Sequence, residues 1–190
     1  MPALSHRWTR RAAPGHAPAR MTDWPLEIHA ALRRAGVSLI SYVPDAGHKR
    51  LIELCRDDPD MEAVVLTTEE EGVGFASGAW LGGRRAALLM QSTGIGNCPN
   101  ALAMARTCGF PLLTLVTMRG EWGEFNPWQF PMGQTGPEQL RLSGCAVHRI
   151  DAAEEAGATL EAAAKLAFDS RVMVAVLIAQ RLIGTKSFQK

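Results

Sequence analysis

The chain has 190 residues, 47% of them hydrophobic and 21% charged, which suits one compact domain with a full core. Its 20 Lys and Arg against 19 Asp and Glu leave a formal net charge of +1, so bulk electrostatics gives no reason to expect nucleic acid or an anionic membrane as partner. Cys55, Cys98, Cys108 and Cys145 form no CxxC pair and have no His at zinc spacing, no apolar run reaches membrane-spanning length, and the opening segment lacks the apolar centre of a secretory signal. Reduced thiols, no metal bound by this chain and a cytoplasmic location are expected.

Residues 1–22 carry Arg7, Arg10, Arg11 and Arg20 with no acid and are broken by Pro2, Pro14 and Pro18. They are read as an N-terminal tail, with Met21 as an alternative start, and residues 183–190 as a C-terminal tail. The domain between them, 23–182, repeats one unit, a helical period followed by an apolar strand-like run. The pairs are helix 25–35 with strand 37–43, helix 49–56 with strand 63–67, and helix 70–81 with strand 86–90. Helix 99–107 with strand 112–117, a short helix near 137–142 with strand 146–150, and helix 152–168 with strand 172–179 complete the series. Runs this apolar, without polar alternation, predict an α/β fold of three layers, a parallel six-stranded sheet with helices on both faces.

Such sheets bind ligands beyond the carboxyl ends of their strands. Those segments read Pro44-Asp45-Ala46-Gly47-His48 after the first strand, Thr68-Glu69-Glu70-Glu71-Gly72 after the second, and Gln91-Ser92-Thr93-Gly94-Ile95-Gly96-Asn97 after the third. After the fourth comes residues 119–135, where Trp122, Phe125, Trp128 and Phe130 argue for an ordered cap or interface. The turn at residues 91–97 has glycines for close backbone approach but no Walker lysine and no GxGxxG pattern, so a phosphate cradle and a plain strand-to-helix turn both stay open. The three glutamates open a helix, where the dipole favours negative charge, and the helix behind them is built of small residues that invite a close-packed partner. His48 stands at the mouth of the first strand, suited to a substrate anion or a proton, whereas His148 lies within a strand pattern and is expected to be packed. Cys98 has no His and acid placed to activate it. Arg119, ending the fourth strand, is an anion contact or an ordinary ion pair.

These segments, with Tyr42-Val43-Pro44-Asp45, Gly78-Ala79-Trp80-Leu81, Asn100-Ala101-Leu102, Met118-Arg119-Gly120 and Gln129-Phe130-Pro131-Met132-Gly133, resemble the pyrimidine-binding domain of thiamine-diphosphate enzymes, in the sulfopyruvate and phosphonopyruvate decarboxylase group. The resemblance covers about Trp24 to Ala179. It implies an activating glutamate nine places before a helix glycine; counting back from Gly78 selects Glu69, whose role is a hydrogen bond to the ring nitrogen of the aminopyrimidine. It implies that Gln91, Ser92, Thr93, Gly94 and Asn97 lie against thiamine diphosphate, and that Pro44, Asp45, His48, Arg119 and Gln129 face a 2-oxo acid substrate.

In this superfamily a GDG motif with a downstream Asn holds the diphosphate through Mg2+, and the chain has no Gly-Asp pair. The resemblance therefore implies the α subunit of a heteromeric decarboxylase, sharing thiamine diphosphate with a β subunit that binds Mg2+. The alternatives are a non-catalytic binding or regulatory module on the same fold, and a nucleotide-binding α/β domain using Gly94 and Gly96.

Overall fold

The computed structural model describes residues 22–185, so the expectations for residues 1–21, the alternative start and most of the C-terminal tail lie outside the described residues. In chain order the elements are α1 (Trp24–Arg34), β1 (Val37–Tyr42), α2 (Lys49–Asp57), β2 (Glu62–Val65), α3 (Glu69–Leu81), β3 (Arg85–Gln91), α4 (Pro99–Cys108) and β4 (Leu112–Thr117). They continue with α5 (Phe130–Leu142), β5 (Ala146–Ile150), α6 (Ala156–Ser170), β6 (Met173–Ile178) and α7 (Gln180–Ile183). Short 3-10 segments at Ser92–Asn97, Pro127–Gln129 and Ala153–Glu155 link them.

The six strands form one parallel sheet in the order β2-β1-β3-β4-β6-β5. The three-layer expectation holds. Ile28, Leu32, Leu51, Leu160 and Phe168 of α1, α2 and α6 pack on one face of the sheet, and Val73, Ala76, Leu102 and Leu140 of α3, α4 and α5 on the other. β3, β4 and β6 are buried nearly throughout, which is why they read as unbroken apolar runs. β2 departs from the buried strand expected at 63–67: it is a short edge strand, and Val65 is 59% exposed.

The largest departure is α5, which begins at Phe130 and runs through Pro137 instead of starting there. Gly and Pro in this stretch argue against a helix by propensity. Packing overrides them: a Cβ on Gly133 would overlap the backbone of Arg119 and Gly120, and one on Gly136 would come 2.8 Å from Ile95 Cδ1. The glycines let the helix lie directly against the segment after β4 and the 3-10 turn after β3. As a result the cap expected over residues 119–135 shrinks to a loop ending near Asn126.

Because β3 follows β2 in sequence but pairs with β1, the chain leaves β1 in one direction and returns on its other side. The crevice at this switch point lies beyond the carboxyl ends of β1 and β3.

Candidate active site

Asp45, just past β1, ties the carboxyl ends of three strands together. Its Oδ1 accepts from Gln91 Nε2 at 3.0 Å, and its Oδ2 from Thr117 Oγ1 at 2.6 Å and Gly47 N at 3.1 Å. Gln91 Oε1 in turn accepts from Thr93 Oγ1 at 2.8 Å, so the amide of Gln91 is oriented from both ends. Pro44 is exposed at the mouth of this crevice.

Glu69 is the first residue of α3. Helical spacing places it on the stripe of Val73 and Ala76, the buried face of the helix, whereas Glu70 and Glu71 are turned to solvent. Glu71 Oε2 accepts from Thr67 N at 2.8 Å and closes the turn into the helix. Glu69 Oε2 accepts from Asn97 Nδ2 at 2.8 Å, and its carboxylate stands directly against Gly94, where a Cβ would come within 2.5 Å of Oε1. Gly94 is therefore the hollow that admits the Glu69 side chain. A carboxylate in that hollow opposes phosphate, which weighs against the nucleotide-binding alternative.

A groove of about 870 Å³ runs past Asn97 between α3 and α4, lined by Thr67, Thr68, Glu70, Asn100 and Met104 among others. The small residues of α3 divide between two roles. Gly72 seats the helix on the sheet, since a Cβ there would collide with Leu88 and come 2.7 Å from Leu66 Cδ1; Gly74 and Gly78 have open space beside them. Gly78 lies about 180° around the helix from Glu69, so the nine-residue interval that singled out Glu69 does not put both on one face.

Several expected site residues are engaged elsewhere. His48 is completely buried, with Nε2 at 3.2 Å from the carbonyl oxygens of both Met90 and Leu115. Burial depresses its pKa and keeps the ring neutral. It braces strand ends and does not face a substrate, which corrects the expectation that it meets one. Ser92, also fully buried, accepts from Arg119 N at 3.1 Å and joins the turn after β3 to the segment after β4; it has no surface for the cofactor contact expected of it. Burial pushes the thiol of Cys98 up to about 12 and that of Cys145 up to about 11, so neither is a nucleophile.

Arg119 is buried beside Glu124, with Nε and Nη2 each donating at 2.6 Å. Glu124 also accepts from Gly120 N, Asn126 N and Gln180 Nε2, and the guanidinium first, then these donors, hold its carboxyl down at about 2. Gln180, the first residue of α7 just past β6, accepts through Oε1 from Glu121 N and Trp122 N, both at 3.0 Å. Gln129, 9% exposed, lines a cavity of about 370 Å³ with Gln91, Arg119, Phe125, Asn126 and Trp128. Glu124, Thr117 and Gln180 were not anticipated from the sequence. Gln180 follows a strand end as the anticipated residues do, and the same rule applied to β6 finds it.

Residues 27–130 match the family described as thiamine pyrophosphate enzyme, N-terminal TPP binding domain. The chain is 33% identical over 152 residues to sulfopyruvate decarboxylase subunit alpha of Methanococcus maripaludis, covering 80% of this chain and 91% of that protein. The protein of the same name from Methanocaldococcus jannaschii is 33% identical over 153 residues, covering 80% and 90%. Phosphonopyruvate decarboxylase of Streptomyces viridochromogenes is 32% identical over 118 residues, 61% of this chain but 30% of that protein. In fold alone, the chain is similar to a solved 2-oxoglutarate:ferredoxin oxidoreductase from Magnetococcus marinus, with a TM-score of 0.66, 13% identity and coverage of 84% of this chain and 29% of that one. Among the described residues no helix is long and apolar enough to cross a membrane.

Proposed function

The chain belongs to the thiamine pyrophosphate enzyme family, through its N-terminal TPP binding domain, and from that membership we propose that it is the α subunit of a thiamine-diphosphate-dependent 2-oxo acid decarboxylase acting with a second subunit. Relatives named as sulfopyruvate decarboxylase α subunits over nine-tenths of their length support the subunit reading. They also favour a short 2-oxo acid with a second acidic group as substrate. Mg2+ and the diphosphate are assigned to the partner.

The observation that carries the proposal is the carboxylate of Glu69, set at a helix N-terminus between Gly94 and Asn97 beside an open groove. These residues fit an aminopyrimidine: the hollow at Gly94 keeps the carboxylate at the turn after β3, and Asn97 fixes one oxygen. Bound thiamine diphosphate supplies the carbon nucleophile and the electron sink for loss of carbon dioxide. The Glu69 carboxylate would accept, on the oxygen that Asn97 does not fix, a charge-assisted hydrogen bond donated by the protonated ring nitrogen of the aminopyrimidine of bound thiamine diphosphate. The N-terminus of α3 offsets part of the cost of burying that charge. Asn97 sets the carboxylate plane, and Gln91 and Thr93 line the adjoining strand end. Asp45 and Gln129 stand on the side where a substrate would enter.

Glu69→Gln tests this in the assembled complex. The amide is isosteric and keeps the fold, but it cannot favour the same tautomer. Exchange of the thiazolium C2 proton with deuterium and carbon dioxide release should each fall by about 10²-fold or more, while the thermal midpoint and assembly are unchanged. Exchange at the rate of the unaltered protein would remove Glu69 from this role.

A further inference from the structure

Three hydrogen-bond donors converge on Asp45: Gln91 Nε2 at 3.0 Å on Oδ1, and Thr117 Oγ1 at 2.6 Å with Gly47 N at 3.1 Å on Oδ2. The loop closes on the carboxylate so tightly that a Cβ at Gly47 would come 2.8 Å from Oδ2 and 2.9 Å from Thr117 Cγ2. A carboxylate held this way is poorly suited to the substrate contact that the resemblance implies for it. Both its oxygens are engaged, and a 2-oxo acid is itself an anion that Asp45 would repel.

An ionised carboxylate accepts and cannot donate, so Asp45 fixes which way round the amide of Gln91 lies, with its NH2 group toward Asp45 and Oε1 away from it. Oε1 accepts from Thr93 Oγ1 at 2.8 Å. The direction of each hydrogen bond in the relay from Asp45 through Gln91 to Thr93 is thus set at its Asp45 end. Thr93 precedes Gly94, whose backbone forms the hollow that admits the Glu69 carboxylate, and the fit has no slack: an added Cβ there would come 2.3 Å from Glu69 Cγ. Ser92 accepts from Arg119 N and Cys98 Sγ donates to the carbonyl oxygen of Gly94, so these hold the turn toward β4 and α4. The relay ties the same turn to the segment after β1, across the crevice.

We propose that Asp45 is a positioning residue for Glu69: acting through Gln91 and Thr93, it pins the turn after β3 so that Gly94 seats the Glu69 carboxylate in one place. The assignment rests on the reading of Glu69 as the acid that meets the aminopyrimidine, and it replaces the substrate contact expected of Asp45. Misplacement of a reacting group by about 1 Å is enough to cost about 10²-fold in rate, so a residue that touches neither cofactor nor substrate can still govern the rate through this turn.

Two isosteric variants break the relay at its ends: Asp45→Asn turns an NH2 group toward the converging donors, and Thr93→Val removes the hydroxyl. In the full chain without cofactor, hydrogen–deuterium exchange of the backbone N–H groups of residues 92–98 should rise about tenfold in each. In the complex with the partner subunit, exchange of the thiazolium C2 proton should fall about tenfold or more in each, while KM for sulfopyruvate stays within about threefold. The double variant should lose no more than about twofold beyond the larger single effect, because one relay is broken once. Asp58→Ala, which removes a buried acid at the opposite end of the sheet, is the control for lost stability: it should lower the thermal midpoint and leave both exchange rates unchanged. Unchanged C2 exchange with a raised KM in Asp45→Asn would make Asp45 a substrate contact and overturn the proposal, as would additive losses in the double variant or an equal loss in Asp58→Ala. If Asp45→Asn does not fold, Thr93→Val decides by itself, and protection of residues 92–98 at the level of the unaltered chain would overturn the relay. Absence of C2 exchange in the unaltered complex would instead overturn the reading of Glu69, and the deuterium comparison would still decide the relay.

Discussion

Glu69 and Glu70 are neighbours of identical chemistry, and the helix separates them. Position 69 falls on the stripe shared with Val73 and Ala76 and points over the strand ends, while position 70 points to solvent. Gly94→Ala tests how much depends on that placement: the new Cβ would meet Glu69 Cγ, Cδ and Oε1, so the carboxylate must swing away. Activity of the complex should fall by about tenfold or more, with a smaller change in thermal midpoint than in rate. His48 yields a pH effect whose sign follows from burial. Its folded pKa is depressed, so the unfolded chain takes up a proton that the fold refuses, and stability declines as pH falls below the ordinary value of 6.5 toward the lower folded value. Urea midpoints measured between pH 7.5 and 5 should fall in the native protein and less steeply in His48→Gln. Glu124 acts further down, its contribution being present above about 4.5 and lost toward about 2. Among these residues Glu69 could be singled out from the sequence, and the apolar stripe at spacing four and seven is a sounder route to it than the interval to Gly78. His48 could not be read correctly, because a residue at a strand mouth is indistinguishable in sequence from one folded back between two carbonyls.

At the scale of elements, the helices and strands with strong periods came out close to their expected bounds, and the misread one was α5, whose glycines serve close packing against Gly120 and Ile95. Propensity treats such glycines as breakers, since it carries no term for a neighbour that needs the space. The opposite end of the sheet holds a second polar cluster with a purely structural role. Asp58, 6% exposed, accepts from His29 Nε2 at 2.9 Å, from Arg33 Nη1 at 2.9 Å and from Asp60 N at 3.0 Å, fastening α1 to the turn before β2. The Asp60 N–H, followed by Arg33 and His29, holds its carboxyl below the usual range despite its burial. Asp58→Ala should cost about 1–3 kcal/mol in urea unfolding while the KM of the assembled complex stays unchanged, because the cluster lies at the amino end of β2, away from the strand ends that form the site.

For the molecule as a whole, the order β2-β1-β3-β4-β6-β5 brings the segments after β1, β3 and β4 to one crevice. The groove beside α3 takes in Asn97 at the end of the turn after β3, and the cavity at Arg119 takes in Gln91 at its start, so the two border that turn without sharing a lining residue. The groove is open, and Gly74 and Gly78 leave the outer face of α3 bare beside it. On the proposed function this is half of a site. The purified chain alone should therefore show no exchange of the thiazolium C2 proton in the presence of thiamine diphosphate and Mg2+, and adding the partner should restore it; exchange by the chain alone would contradict the two-subunit reading. The sequence by itself determined the fold class, the parallel sheet and the segments that carry chemistry, because apolar periodicity and strand-end position are local properties of the chain. Only the tertiary structure decided that His48 and Ser92 are braces, that Arg119 is paired with Glu124, which Gln180 holds in turn, and that Gly94 makes room for Glu69. Each of these depends on which strand ends lie side by side, and that is set by packing across the whole sheet.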